Sequence, residues 1–149
     1  MASSFSNDLK LEIISTGEKA GLWGTITNTN LQILQQAASG YIELSMVGNA
    51  DITLALTDGD ISNGKNLYFK LIGTLARNQT LIMPNGAERI FVIQDATNRT
   101  TANKYTLSVK TTSSSTPVAV PVGATMLLKS DGTNTSKAIT EKSYFTITS

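Results

Sequence analysis

One acidic turn has residue types and spacing that could bind a divalent cation. Residues 58–64 read Asp-Gly-Asp-Ile-Ser-Asn-Gly, and carboxylate and amide oxygens are the ligands that Ca²⁺ prefers. An EF-hand loop beginning at Asp58 would need a glycine at position 63 and a bidentate glutamate at position 69, where this sequence has Asn63 and Phe69. The pattern therefore favours a polar turn between strands, although a β-fold could still recruit Asp51, Asp58 or Asp60 as oxygen ligands.

Residues that could carry catalysis are few. The chain has no His and no Cys, which removes the commonest general base, the thiolate nucleophile and the usual zinc ligands. The five glutamates have no spacing that suggests two carboxylates facing a substrate, as a glycosidase or polysaccharide depolymerase would need; they are Glu12, Glu18, Glu43, Glu88 and Glu141. We therefore predict that the protein is not an enzyme and has no catalytic residue, metal or cofactor.

The aromatic residues leave a binding role open. Trp23, the only tryptophan, lies in a glycine-rich stretch, where a ring could stack on a sugar but more often anchors packing. A carbohydrate-binding module would require the exposed aromatic rings to converge on one face, namely Trp23, Tyr41, Tyr68, Tyr105 and Tyr144. The arginines Arg77, Arg89 and Arg99 are separated by turns, and we expect them on a solvated surface.

Charge and hydropathy exclude other partners. The formal charge is +1 and no basic block occurs, so binding to nucleic acid through counterion release is not expected. The longest apolar stretches are far short of the roughly 20 residues that span a bilayer. The polar N-terminus has no signal-peptide pattern, so we expect a soluble protein that is made in a cytoplasm and has no membrane partner.

The first forty residues predict a strand, a loop and a short helix. Residues 9–15 alternate apolar and charged side chains, which is typical of a half-buried strand. After a loop with three glycines, Asn30 is a candidate helix N-cap, and Leu31, Leu34 and Ala38 then share one helix face. Gly40 can end the helix in the left-handed conformation. A helix of about ten residues must be held by packing.

From Tyr41 onward the sequence alternates with a period of two, as strands do. The chain contains 21 Thr, 15 Ser and 11 Asn, a composition that favours strands with hydroxyl-rich faces and polar turns. The Asn85-Gly86 turn after Pro84 predicts a hairpin between its flanking strands. Residues 1–149 therefore predict a single all-β domain, an antiparallel sandwich or barrel with one short helix near the N-terminus. The predicted strands span 41–47, 51–57, 66–74, 80–83, 89–94, 104–110, 118–122, 125–129 and 143–148.

Residues 9 to about 134 resemble a module of bacteriophage virion proteins. The module's recurring phrase is L-x-L, then G-E-x-x-G-x-W-G, then N-x-N before a short helix. It is matched by Leu9, Leu11, Gly17, Glu18, Gly21, Trp23, Gly24, Asn28 and Asn30. Weaker matches follow at Ile52-Thr53-Leu54, at Ala76-Arg77-Asn78 with Ile82 and Pro84, at 90–92, at 105–110 and at 120–123.

The resemblance implies a virion structural protein in tail fibres or other virion parts. Most copies of the module precede further domains, whereas this sequence ends at Ser149, so we expect a capsid decoration (cement) protein over a tail-fibre or tail-adaptor component. The expected partners are the major capsid protein or tail proteins, and the expected state is a homo-oligomer, dimer or trimer, on the virion. A carbohydrate-binding receptor module is the alternative from a different class.

Two groups of residues carry this interpretation. Residues 1–11 are a candidate extended arm that reaches a capsid or sister subunit by strand addition, with Phe5, Leu9 and Leu11 as apolar anchors. A first strand with a frayed end is the alternative. The second group is a structural corner, in which glycines let the loop turn around the tryptophan and the asparagine amides satisfy backbone groups: Gly17, Gly21, Trp23, Gly24, Asn28 and Asn30.

Overall fold

A computed structural model describes residues 3–99 and 105–140. The described chain is mostly β-sheet with one α-helix and one short 3₁₀ turn at Asn63–Lys65. The elements in chain order are β1 Ser4–Phe5, β2 Glu12–Ile13, α1 Trp23–Ser39, β3 Tyr41–Ser45, β4 Ile52–Thr53, β5 Tyr68–Gly73, β6 Gln79–Met83, β7 Glu88–Thr97, β8 Leu107–Thr111, β9 Val118–Val120, β10 Thr125–Asp131 and β11 Thr135–Lys137. The strand predicted at 143–148 lies outside the described residues.

The strands form three sheets, and none of the three closes into a barrel within the described ranges. A five-stranded sheet has the order β11-β10-β7-β5-β3, a four-stranded sheet has the order β4-β6-β8-β9, and β1 pairs with β2. Successive strands from β3 to β8 alternate between the two larger sheets. The pairs formed among these strands are β3–β5, β5–β7, β4–β6 and β6–β8, and all four are parallel.

The expectation of antiparallel sheets is wrong for the centre of the fold. The antiparallel pairs in the described residues are β7–β10, β10–β11 and β8–β9, together with the β1–β2 hairpin. The Asn85-Gly86 turn does not close a hairpin either, because β6 and β7 belong to different sheets. Gly86 does adopt a positive φ of 80°, so the sequence identifies the turn but not the partners of the strands that it joins.

One apolar core is shared by the two larger sheets. Phe69 and Phe91 from the five-stranded sheet meet edge to face, with ring centroids 6.1 Å apart. The alternation predicted for the strands is observed, with every second side chain of β6 and β8 buried. The other fully buried apolar members of the cluster are Met46, Leu71, Leu81, Ile93, Leu107, Val109 and Leu128. Burying each contributes about 1.5–3 kcal/mol before the loss of chain entropy.

Helix α1 begins eight residues earlier than the sequence predicted, because its N-cap is Leu22 rather than Asn30 and its first residue is Trp23. It does end at Gly40, but this glycine is extended (φ −65°) and not left-handed. Glycine is required there for space, since a Cβ would lie 2.2 Å from the Gln36 carbonyl oxygen and 2.5 Å from Asn66 Oδ1. The Gly40 carbonyl then accepts hydrogen bonds from the amides of Leu67 and Tyr68, which joins the helix end to β5.

Candidate interaction surface

Glu12 in β2 connects the N-terminal hairpin, the loop after it and helix α1. Its backbone N–H donates to Asn30 Oδ1 at 3.0 Å, and its carbonyl accepts from Asn30 Nδ2 at 2.9 Å. Its carboxylate accepts from Ser3 Oγ at 2.5 Å and lies 3.3 Å from Lys19 Nζ. The hydrogen bond from Ser3 and the nearby ammonium of Lys19 hold the pKa of Glu12 below its usual value. These contacts make the hairpin, loop and helix one surface unit.

The candidate arm is folded back on the domain. The Ser6 N–H donates to the Leu11 carbonyl at 2.9 Å, which closes the β1–β2 turn. The Gly59 N–H donates to the Lys10 carbonyl at 2.7 Å, and the Glu88 N–H donates to Asp8 Oδ1 at 2.8 Å. The predicted strand at 9–15 is reduced to Glu12–Ile13. In the isolated chain these residues therefore form a docked hairpin.

The apolar anchors predicted for the arm are only partly covered. Phe5 is 36% exposed and packs on the loop at Gly59, where a Cβ would lie 2.9 Å from Phe5 Cε1. Leu9 and Leu11 are half-buried. Whether they bind a partner stays a prediction.

The structural corner differs from its prediction in the position of the tryptophan. Gly17 and Gly21 adopt positive φ angles of 84° and 81°, as a tight turn requires. Trp23 is 63% exposed, so the loop does not pack around it, and Gly24 lies inside the helix. Trp23 is instead the first residue of α1.

The two asparagines of the corner have different roles. Asn28 is exposed on α1, while Asn30 forms the two hydrogen bonds with the Glu12 backbone. Asn30 therefore satisfies backbone groups of strand β2 rather than of the loop or the helix end, and it does so from the middle of the helix and not as an N-cap.

This surface unit carries five of the eleven large apolar side chains that are more than two-fifths exposed in the described residues. They are Ile13 (51%), Leu22 (54%), Trp23 (63%), Leu31 (57%) and Leu34 (43%), and the other six, Val47 and Ile139 among them, lie elsewhere. Clusters of large exposed apolar residues are typical of interaction sites, because water contact with them is unfavourable. The helix periodicity predicted a shared face for Leu31, Leu34 and Ala38, and this face points to solvent instead of the core.

The turn at 58–64 contains a lysine ammonium where a calcium loop would hold its ion. Lys65 is fully buried, and its Nζ donates to the carbonyls of Thr57, at 2.6 Å, and Asp60. Burial lowers the pKa of Lys65, an effect that the nearby Asp60 and Asp58 oppose. Asp51 is engaged elsewhere, accepting from Arg77 at 3.1 Å and from the Thr80 N–H at 3.0 Å. Within residues 3–99 and 105–140, no group of three Asp or Glu side chains could hold a metal ion.

The expectation that all three arginines are solvated is wrong for two of them. The Arg89 guanidinium donates to the carbonyls of Gly64, Lys65 and Asn66, and burial lowers its pKa to about 10. Arg99 is 7% exposed and forms an ion pair with Asp95, Nη2 to Oδ2, at 2.9 Å. Arg89 thus satisfies carbonyls in and just after the 3₁₀ turn, and Arg99 also donates to the carbonyls of Tyr105 and Val120. Spacing along the sequence does not reveal either role.

Two of the five aromatic residues considered for sugar binding meet on the outer face of the five-stranded sheet. Tyr41 and Tyr68 stack with ring centroids 5.4 Å apart and an interplanar angle of 25°. Their hydroxyls donate to Glu43 and Gln94, both at 2.9 Å, and Lys70 lies 2.7 Å from Glu43. Trp23 lies on the helix, and Tyr144 lies outside the described residues. The outer face thus presents a tyrosine pair beside polar side chains.

Comparisons with known proteins place no constraint on this surface. No protein-family model matches the chain, and no curated protein and no solved structure matches it with statistical significance. In the part of the chain that the structure describes, no helix is both long and apolar enough to cross a membrane.

Proposed function

We propose that the protein is a non-enzymatic structural component of a bacteriophage virion, a capsid decoration protein that binds across neighbouring capsid subunits. The observation that carries the proposal is the exposure of Ile13, Leu22 and Trp23 on the segment that bears the virion-module phrase. This segment is tied together through Glu12, so it presents its apolar side chains as one unit.

The shape of this surface favours binding across subunits. It extends over a hairpin, a loop and the first turn of a helix, which offers several separate contacts instead of one insertion point. A decoration protein gains binding free energy from modest contacts repeated in many copies, and exposed aromatic and aliphatic residues are the usual anchors of such contacts. The two larger sheets share an apolar core, which supports a sandwich, and the end of α1 is joined to β5 by the hydrogen bonds to the Gly40 carbonyl.

Copy number in purified particles tests the proposal against the tail-fibre and tail-adaptor alternatives. We expect hundreds of copies per virion, in a simple ratio to the major capsid protein, by quantitative gel densitometry. A few to a few tens of copies would place the protein on the tail and overturn the decoration role.

A binding experiment tests the surface itself. Particles stripped of the protein are mixed with purified protein and separated on a density gradient. We expect Trp23→Ala to reduce co-sedimentation at least tenfold, because an interface tryptophan often contributes 2 kcal/mol or more. Ile90→Ala is the matched control, since Ile90 is 55% exposed on β7, outside the hairpin, loop and helix. Equal binding by both variants and the wild type would exclude this surface as the attachment site.

A carbohydrate-binding receptor module is the second candidate, and the stacked Tyr41–Tyr68 pair favours it. The outward Tyr41 ring is 55% exposed, and Glu43, Lys70 and Gln94 supply hydrogen-bonding groups beside the tyrosines. Binding to a glycan array tests this candidate. Binding that is lost in Tyr41→Ala and kept in Trp23→Ala would support it over the decoration role.

A further inference from the structure

We propose that Asn85 is a site of spontaneous deamidation, in which the backbone nitrogen of Gly86 displaces the side-chain amide of Asn85. The chain contains two Asn-Gly pairs, and the fold protects the other one, Asn63-Gly64. This chemistry belongs to the turn between β6 and β7 and is independent of the proposed function.

Asn-Gly is the sequence in which this reaction meets the least hindrance, because glycine has no Cβ beside the attacking nitrogen. The Gly86 nitrogen loses its proton and bonds to Asn85 Cγ, while the bond from Cγ to Nδ2 breaks and Nδ2 leaves as ammonia. One water then opens the succinimide ring at either carbonyl, which gives aspartate or isoaspartate. The net change is one water consumed and one ammonia released, so the reaction needs no oxidant, reductant or enzyme.

The turn at Asn85-Gly86 is open to water and has free space around its glycine. Both residues are exposed, and a Cβ on Gly86 would meet no heavy atom within 4 Å outside the adjacent residues. The Gly86 N–H donates to the Gly132 carbonyl at 2.8 Å, and Asn85 Oδ1 accepts from the Ser113 N–H at 3.0 Å. Asn85 Nδ2 also donates to Ser113 Oγ. Since Ser113 is exposed as well, a small local opening at the surface releases both reacting groups.

The turn at Asn63-Gly64 has similar hydrogen bonds, but its glycine is buried. Asn63 Oδ1 accepts from the Ala55 N–H at 2.7 Å, and the Gly64 N–H donates to the Ala55 carbonyl at 3.0 Å. A Cβ on Gly64 would lie 2.4 Å from that carbonyl oxygen, so there is no free space around this glycine. Lys65 beside it is buried too, and the Gly64 carbonyl accepts from the Arg89 guanidinium. Opening this turn breaks buried contacts, which costs more free energy than opening the turn at Asn85-Gly86.

Deamidation would destabilise the turn in two ways. Isoaspartate inserts an extra carbon into the backbone between positions 85 and 86, so the Gly86 N–H and the side chain must move relative to their partners. Either product also adds a carboxylate next to Gly86, which lines a hollow that already contains the carboxylates of Asp8, Glu88 and Asp131. Lys10 supplies the single ammonium among the described residues that line this hollow. We therefore expect the modified protein to melt at a lower temperature.

Peptide mapping by mass spectrometry tests the site. The purified protein is incubated in mildly alkaline buffer, where the glycine nitrogen loses its proton more readily, and is then digested in acid, where the reaction is slow. We expect Asn85 to be converted faster than Asn63 by about tenfold or more in the folded protein, because its turn opens at lower cost. In urea the two rates should become similar. Equal rates in the folded protein, or no conversion of Asn85 while both positions react in urea, would overturn the proposal.

Asn85→Gln is the control for the effect on stability, because glutamine would have to form a larger ring and reacts far more slowly. After incubation the wild type should melt at a lower temperature than before, whereas Asn85→Gln should melt as before. A fall of the same size in both proteins would overturn the destabilising effect assigned to Asn85.

Ser113→Ala tests whether the surface hydrogen bonds limit the reaction. The substitution removes the acceptor of Asn85 Nδ2, so conversion of Asn85 should become several-fold faster while that of Asn63 stays unchanged. Ser115→Ala is the matched control, since Ser115 is exposed in the same loop. An unchanged rate at Asn85 in Ser113→Ala would overturn the opening step.

Discussion

The side-chain amide of Asn30 pairs with the backbone of Glu12 as a neighbouring strand would. It accepts from the Glu12 N–H and donates to the Glu12 carbonyl, so both backbone groups of one residue are satisfied by one helix side chain. This contact holds the hairpin against α1, and through it the exposed Ile13 keeps a fixed position relative to the helix.

Removing this amide is expected to release the hairpin. Asn30→Ala leaves two backbone groups of Glu12 without their partner, which costs about 1–3 kcal/mol. We expect a lower melting temperature and faster amide hydrogen exchange in residues 3–13. Asn28→Ala is the control, because Asn28 is exposed on the same helix two residues away. If exchange in the hairpin were equally slow in both variants, other contacts would hold the hairpin.

The helix and its faces were only partly predictable from the sequence. The sequence correctly groups Leu31, Leu34 and Ala38 on one face and correctly ends the helix at Gly40. It does not show which stripe faces the domain, because α1 has two apolar stripes and no charge to mark the solvent side. The earlier start at Trp23 was missed because Thr and Asn between 25 and 30 have weak helix propensity.

Strand positions were more predictable than strand partners. Alternation marks a half-buried strand in parallel and antiparallel sheets alike, so it cannot reveal that β3, β5 and β7 pair in parallel. The burial of Lys65 and Arg89 is not predictable from the sequence for a related reason. The partners of Lys65 and Arg89 are backbone carbonyls, which carry no signal in the sequence.

The ammonium of Lys65 is expected to stabilise the turn at 58–64, whose carbonyls it binds. Lys65→Met keeps the length of the side chain but leaves the carbonyls of Thr57 and Asp60 without their donor, so the free energy of unfolding should fall by about 1–3 kcal/mol. Lys129→Met is the control, because Lys129 is exposed on β10. Chemical denaturation of both variants measures the difference, and an equal effect would contradict the role of Lys65.

Calcium is expected to leave the wild-type protein unchanged. The ammonium of Lys65 already occupies the carbonyl-lined centre of the 58–64 turn. Melting curves with millimolar Ca²⁺ and with a chelator should therefore coincide. A rise in melting temperature with Ca²⁺, absent in Asp60→Asn, would show that the turn binds the ion.

Replacement by alanine is expected to lower the melting temperature at Gly40 and to raise it at Gly24. Gly40→Ala places a Cβ 2.2 Å from the Gln36 carbonyl, so the end of α1 must shift and the melting temperature should fall. Gly24 has open space at its Cβ and a helical position, so Gly24→Ala should stabilise the helix by up to about 1 kcal/mol. Thermal denaturation monitored at a helical circular-dichroism band compares the two. If Gly40→Ala melted at the same temperature as the wild type, the crowding at Gly40 would be relieved without loss of stability.

The buried pair of Asp95 and Arg99 is expected to make stability fall in acid. Burial alone would raise the pKa of Asp95, but hydrogen bonds from Thr97, Gly123 and Arg99 outweigh it and lower the pKa below the ordinary value. A carboxyl group with a lowered folded-state pKa contributes stability above its unfolded pKa of about 3.9, and that stability is lost as the pH falls through the folded pKa.

Asp95→Asn tests this contribution, because the amide keeps the shape of the side chain but removes the charge. At neutral pH the variant should be less stable than the wild type by about 3–5 kcal/mol, since the Arg99 guanidinium stays buried without its counter-charge. The difference should shrink as the pH falls below about 4, because the carboxyl of the unfolded wild type then binds a proton while the folded one, with its lowered pKa, does so only at lower pH. Asp51→Asn is the matched control, as its ion pair with Arg77 is exposed and contributes at most about 1 kcal/mol. The free energy of unfolding is measured for each protein from pH 7 to pH 2. If the curves for the wild type and Asp95→Asn stay parallel, they contradict the lowered pKa of Asp95.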